Sequence, residues 1–251
     1  MTTDERPRVQ AVDTTFRILE TLQQRGVAGV TELATALDMS KANVHKHLAT
    51  LCDRGILVRD GEKYRPGLRL FEMGLTVRQR HPLYREAASN IQELSEVTNK
   101  TATLLVPDRC TGIYIRSIDP NDRSTPGRME GVRNPLHGTA SGRAVLACYS
   151  DAERTERLPD TLSDGERERL LDSLEGHSQG ETIVSELPQE PDLREIATPI
   201  PVDGEPVGAV GLLLDDAVDS NEQVEPSYGQ LVKKAGTTLS KRMYLRRNTE
   251  A

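Results

Sequence analysis

Two short amphipathic segments dominate the hydrophobic pattern in the first third of the chain. Val30, Leu33, Ala34 and Leu37 fall on one face of a helix, and Val44, Leu48 and Leu51 recur at steps of four and three on the next. The two helices therefore share one small core. Asp38 and Met39 leave room only for a tight turn between them, and Ser40 stands where an N-cap hydroxyl accepts a backbone N–H. Gly55 ends the second helix. Ile56 to Leu68, ILVRDGEKYRPGL, then reads as two extended runs around Asp60-Gly61, a dipeptide that signals a type I′ hairpin. Upstream, Val12, Phe16, Leu19 and Leu22 predict a first helix capped by Asp13 and closed by Gly26 and Gly29, with residues 1–10 as a flexible arm carrying Arg6 and Arg8. Helices followed by a hairpin make the winged form of the helix-turn-helix, over 11–68.

The outward positions of the last of these helices carry its chemistry. Ser40, Lys41, Ala42, Asn43, His45 and Lys46 combine cations, an amide and a methyl, which suit phosphates, base edges and a thymine methyl in a major groove. A merely solvated helix face would look similar. The hairpin weighs against that reading, because Arg59, Lys63 and Arg65 place further cations where a wing meets phosphates or the minor groove.

Leu68, Phe71, Leu75 and Arg78 continue the helical period into a linker helix over 69–82, whose Phe71, Met73 and Leu75 have little left to pack on and predict a dimer contact. A second domain, 83–251, opens with a helix from Leu83 to Asn99 that turns Ile91, Leu94 and Val97 inward. Thr101 to Val106 and Gly112 to Ile118 read as a hairpin, Asn121 to Arg133 as a loop, and Leu136 to Tyr149 as a loop that becomes helix near Thr139. Two short surface helices fit Asp151 to Glu175. Leu193 to Val202 and Pro206 to Leu214 are strands joined through Asp203-Gly204, and the run VGAVGLLL suits a central strand buried on both faces. A last helix, Pro226 to Arg247, turns Leu231, Val232, Ala235, Leu239 and Met243 inward. The fold class is α+β, a winged helix-turn-helix followed by a modest antiparallel sheet with helices.

The net charge of −7 argues against a nucleic-acid partner until its distribution is read: residues 1–85 hold 14 Lys and Arg against 10 Asp and Glu, whereas residues 86–251 hold 18 against 29. Only the first third suits an anionic polymer. No apolar run reaches membrane-spanning length, the N-terminus lacks a secretory apolar core, and Cys52, Cys110 and Cys148 show no CxxC spacing. The expectation is a cytoplasmic protein with no membrane partner, no metal and no cofactor. Arg far outnumbers Lys, which is compatible with a salt-tolerant bacterium or archaeon.

Sharper chemistries fit poorly. GTASG at Gly138 to Gly142 puts Ser141 one position too late for a nucleophile elbow, and the run lacks the spacing and the Lys of a P-loop. His45 and His47 point roughly opposite ways on one helix, so with Cys52 they make a poor metal site. His137 reads equally as a pocket donor or as a loop histidine packed on the helix start.

The stretches TTFRILETL, SKANVHKHLATLCDRGIL, PLHGTASGRAVLA and IATPIPVDGEPVGAVGL together resemble the IclR-type transcriptional regulators across nearly the whole chain. The resemblance implies a winged helix-turn-helix joined to a GAF-like effector-binding domain, acting as a homodimer or homotetramer on a palindromic double-stranded DNA operator. It also implies an effector pocket near His137, Ala140, Ser141, Glu195, Gly211 and Leu213. The backbone N–H groups and hydroxyl at Ser141 suit a carboxylate by themselves. Where many relatives carry Cys, however, this chain has Glu195, and Gly211 and Leu213 replace the serines of acid-binding relatives. The effector is expected to be a sugar, a polyol or a small organic acid, of which the first two suit Glu195 better. The alternative is a GAF-like sensor or enzyme whose winged domain mediates protein contacts; cations on both groove-facing elements favour the regulator.

Overall fold

The computed structural model describes residues 9–121, 129–175, 177, 180–187, 190–215 and 224–250. Arg6, Arg8 and most of the predicted arm and of the loop at 121–133 lie outside the described residues. The chain divides into two compact units, residues 1–78 and 79–251.

In the first unit α1 (Gln10–Arg25), α2 (Val30–Leu37) and α3 (Lys41–Asp53) precede a hairpin of β2 (Leu57–Asp60) and β3 (Lys63–Pro66), with the short β1 (Ala28–Gly29) paired on the far side of β3. The core joins Ile18 and Leu22 of α1 to Leu33, Leu37, Val44, Leu48, Leu51, Leu57 and Tyr64. On α1 the buried face is Thr14, Ile18 and Leu22, at steps of one turn. Val12 and Phe16, expected inward, are 52% and 59% exposed, because a stripe through 18 and 22 turns positions 12 and 16 away.

The tight turn after α2 is made by Asp38, whose φ of +54° is the left-handed conformation that Asp tolerates better than most residues. The wing turn differs from the sequence expectation by one residue. Asp60 pairs with Lys63, so the turn residues are Gly61-Glu62. Gly61 has φ +61° and Glu62 does not share the positive φ that type I′ requires, leaving the pattern of a type II′ turn. α4 (Leu68–Arg80) follows; none of its residues is buried, and Leu68, Phe71, Met73 and Val77 are all more than half exposed.

The second unit is a six-stranded antiparallel sheet between helices. Its strands are β4 (Ala102–Asp108), β5 (Thr111–Ile118), β6 (Arg133–Pro135), β7 (Ile183–Leu187), β8 (Glu190–Val202) and β9 (Glu205–Asp215), in the order β6-β5-β4-β9-β8-β7. Near-continuous burial along β9 matches its apolar run and its central place. β6 begins at the end of the expected loop, and β7 had no counterpart in the sequence reading; both are edge strands too short or too polar for clear alternation.

The two faces alternate along each strand. Leu104, Ile196, Val210 and Leu212 pack toward α5 (Pro82–Glu86), α6 (Ala88–Thr98) and α10 (Val224–Glu250). Leu105, Ala197, Ala209 and Leu213 pack in one cluster with residues of α7 (Ala140–Ala147) and α9 (Asp164–Leu174), whereas α8 (Asp151–Glu156) buries none of its residues. On α6 Ile91 and Leu94 are buried as expected, whereas Val97 is 64% exposed and Ser95 and Thr98 face inward instead.

Candidate functional site

The first candidate is the outer face of α3. Ser40 is its N-cap, its Oγ accepting from the Asn43 backbone N–H at 3.2 Å. Burial of Val44, Leu48 and Leu51 leaves Lys41, Ala42, Asn43, His45 and Lys46 all exposed. His47 turns the other way: its Nδ1 lies 2.9 Å from the Thr15 hydroxyl of α1, fixing the rotation of α3 about its axis. On the wing, Lys63 and Arg65 share the outward face, since Tyr64 between them is buried. Arg59 pairs with Tyr64 and lies on that residue's side of the hairpin; its Nε donates to the Gly61 carbonyl at 2.8 Å, bracing the turn. It remains exposed but is partly engaged within the chain.

The second candidate surrounds Glu195. Thr139 caps α7, its Oγ1 accepting from the Gly142 N–H at 3.1 Å, so the next free N–H groups of the helix point out of its N-terminus. The Glu195 carboxylate lies against them. Its Oε2 accepts the Ser141 backbone N–H at 2.9 Å and its Oε1 accepts the Ser141 hydroxyl at 2.7 Å. The Tyr114 hydroxyl stands 3.0 Å from both oxygens, and Thr103 Oγ1 donates to Oε1 at 3.2 Å. Four donors thus converge on one carboxylate, all from fully or almost fully buried residues.

Burial pushes the Glu195 carboxyl above its ordinary value, while the bonds from Ser141, Tyr114 and Thr103 pull it back. Burial and the neighbouring Glu195 charge raise the Tyr114 phenol well above its usual value, which keeps it a donor.

The space for this carboxylate is made by Gly211. Thr103 pairs directly with Gly211, and Glu195 with Leu213, so all four lie on the α7 face of adjacent strands. A Cβ at Gly211 would stand 2.8 Å from Glu195 Oε1 and 2.9 Å from Thr103 Oγ1.

Of the six expected pocket residues, Ala140, Ser141, Glu195, Gly211 and Leu213 are therefore brought together, but as a closed and buried cluster; only His137 keeps partial exposure. His137 sits in the 3-10 turn Leu136–Gly138, where its carbonyl accepts from Arg143 Nε at 2.8 Å. Burial and the Arg143 charge lower its imidazole below the ordinary value. Thr103 and Tyr114 were missed by the sequence reading. Both stand among apolar neighbours, β4 being buried on both faces, and nothing local says that they meet a glutamate.

A winged reading head followed by an antiparallel-sheet domain defines a DNA-binding transcriptional regulator. The chain belongs to the IclR family: the IclR helix-turn-helix domain matches residues 11–61, and the C-terminal domain of the bacterial transcriptional regulator IclR matches residues 75–241. It is 33% identical over 208 residues to the HTH-type transcriptional regulator KdgR of Dickeya chrysanthemi, covering 78% of this chain and 68% of that one. The same fold occurs in an IclR transcriptional regulator from Alicyclobacillus acidocaldarius, with a TM-score of 0.75, 21% identity and coverage of 94% and 99%. It occurs also in an IclR homolog from Microbacterium hydrocarbonoxydans complexed with 4-hydroxybenzoate, with a TM-score of 0.74, 21% identity and coverage of 92% and 98%. Among the described residues no helix is long and apolar enough to cross a membrane, and no group of three His, Cys, Asp or Glu could hold a metal ion.

Proposed function

We propose that residues 11–68 read an operator and that a small molecule held by residues 83–251 sets the operator affinity. The observation that carries the first part is the division of α3 into a buried apolar stripe and an exposed face of Lys41, Ala42, Asn43, His45 and Lys46. In a major groove the lysines meet phosphates, and Asn43 and His45 reach base edges. Ser40 adds an uncharged contact at the helix start. Lys63 and Arg65 meet the flanking backbone, and Arg59 supports the wing tip.

The exposed Leu68 and Phe71, with the half-buried Leu75 at the next step, form an apolar stripe on α4 that a second copy of the chain covers, giving a homodimer and a palindromic operator. The 4-hydroxybenzoate complex of a relative supports a small-molecule effector for the second domain. Because Glu195 already takes the donors of Ser141, the effector is a sugar or polyol rather than a small organic acid. Its binding shifts a two-state equilibrium, for which a differential affinity of about 1–3 kcal/mol is enough.

The test is fluorescence anisotropy of the full chain on its own upstream DNA, titrated with salt beside an unrelated fragment, then repeated with a panel of sugars, polyols and organic acids. Selective binding with a steep salt slope, changed by a sugar or polyol, is expected. Equal weak binding to both fragments, or a response confined to acids, defeats the corresponding half of the proposal.

A further inference from the structure

The four donors around Glu195 are the contacts by which a protein holds a bound carboxylate: a helix N-terminal N–H, a serine hydroxyl beside it, a phenol and a threonine. Here the carboxylate belongs to the chain itself. It arrives from β8, crosses the gap left by Gly211, and is wholly buried, as are Ser141, Thr103 and Tyr114 apart from traces of exposure. If Glu195 only served to fill the core, a hydrophobe would do so without desolvating a carboxyl. The match of donors to both oxygens points to a site shaped for a carboxyl group.

We infer that Glu195 is a tethered ligand: its carboxyl group permanently occupies a donor-lined seat at the head of α7, closing it to free carboxylates and making Glu195 the residue that decides which effectors the domain accepts. This deepens the effector reading above and rests on it for its biological meaning, but the seat itself is read by stability and spectroscopy, without DNA.

The seat can be vacated by subtraction. Glu195→Ala removes one methylene and the carboxylate, four heavy atoms that acetate replaces one for one. The removal takes from four buried donors the acceptor they share, which is costly, so a free carboxylate that restores it binds the folded state and stabilises it.

Full-length wild type, Glu195→Ala and Glu195→Gln are compared by thermal unfolding in rising sodium acetate, with sodium chloride as the ionic-strength control. The Ser141 amide is followed in the 15N-labelled protein. The expected result is a melting temperature of Glu195→Ala that rises with acetate in a saturable way, together with a shift of the Ser141 amide. Wild type and Glu195→Gln, whose side chains fill the seat, stay indifferent in both readouts. Butyrate, two methylenes longer, is expected to act more weakly than acetate.

A folded Glu195→Ala that ignores acetate overturns the inference. So does a wild-type Ser141 amide that moves with acetate, since the seat would then be open in the native chain. If Glu195→Ala does not fold in buffer, refolding into acetate reads the same seat: recovered structure is expected, and failure to recover while Glu195→Gln folds overturns it. Failure of operator binding by the wild type would sink the regulator proposal and leave these outcomes unchanged.

Discussion

Ser141 holds Glu195 twice, by its amide at 2.9 Å and by its hydroxyl at 2.7 Å, across 54 residues of sequence. Removing the hydroxyl with Ser141→Ala keeps the amide bond and leaves a buried carboxylate short of a donor. A loss of about 1–3 kcal/mol is expected, read by urea unfolding followed at the tyrosines. A change within error would mean that the hydroxyl bond adds nothing to the native state.

Gly211 and Glu195 should be energetically coupled. Gly211→Ala places a methyl against Glu195 Oε1 and Thr103 Oγ1, and overpacking of this kind costs about 1–3 kcal/mol. In the Glu195→Ala background the same methyl enters vacated space, so the double variant is expected to be more stable than the sum of the single losses predicts. Additive losses would show that the clash is relieved elsewhere.

The pH dependence follows from the direction of the Glu195 shift. Its folded-state value is raised by burial, so the group contributes stability that is present below the unfolded carboxyl value and lost as pH rises through the folded one. Glu195→Gln has no such titration. The stability difference, wild type minus Glu195→Gln, is therefore expected to fall with rising pH over the window just above the usual carboxylate range. Urea midpoints across that window measure it, and a difference that grows with pH would reverse the sign assigned to burial.

On the reading head, Lys41→Ala and Lys46→Ala remove exposed charges without touching the core. Each is expected to weaken operator binding and reduce the log–log salt slope by about one, with the melting temperature unchanged. Operator binding at wild-type strength in both variants would show that another face meets the DNA.

Thr15 and His47 tie α1 to α3 at 2.9 Å. His47→Ala is expected to cost about 1 kcal/mol of stability and to weaken operator binding beyond that of an equally destabilised core variant, because the reading helix loses its rotational stop. Matching the melting temperature with Leu19→Ala supplies the comparison; equal binding by the two would reduce His47 to a stability role.

Much of this architecture was legible because its signals are local. Val44, Leu48 and Leu51 define one helix face without reference to anything distant, so the exposed set on α3 follows directly. The VGAVGLLL run likewise announced a strand with two buried faces. The wing register slipped by one because Asp60-Gly61 and Gly61-Glu62 both supply a glycine for the turn, and only strand pairing decides between them. On α1 two apolar stripes compete, and tertiary packing chose Ile18 over Phe16. The surroundings of Glu195 were the least legible. Tyr114 and Thr103 reach it across 81 and 92 residues, and a glutamate in an apolar strand reads equally as a pocket group facing a ligand or as an acid held by its own chain.

The strand order also sets a sequence of events in time. The first unit is complete by Arg78, and its core, from Ile18 to Tyr64, lies wholly within that stretch. β4, by contrast, finds one of its two partners only in β9: Leu104 pairs with Val210, about a hundred residues further on, so most of the chain between them must be made before the sheet can close. During synthesis the reading head is thus ready while β4 still shows an open apolar edge. A chain cut short anywhere before β9 would keep that edge of β4 without its partner strand.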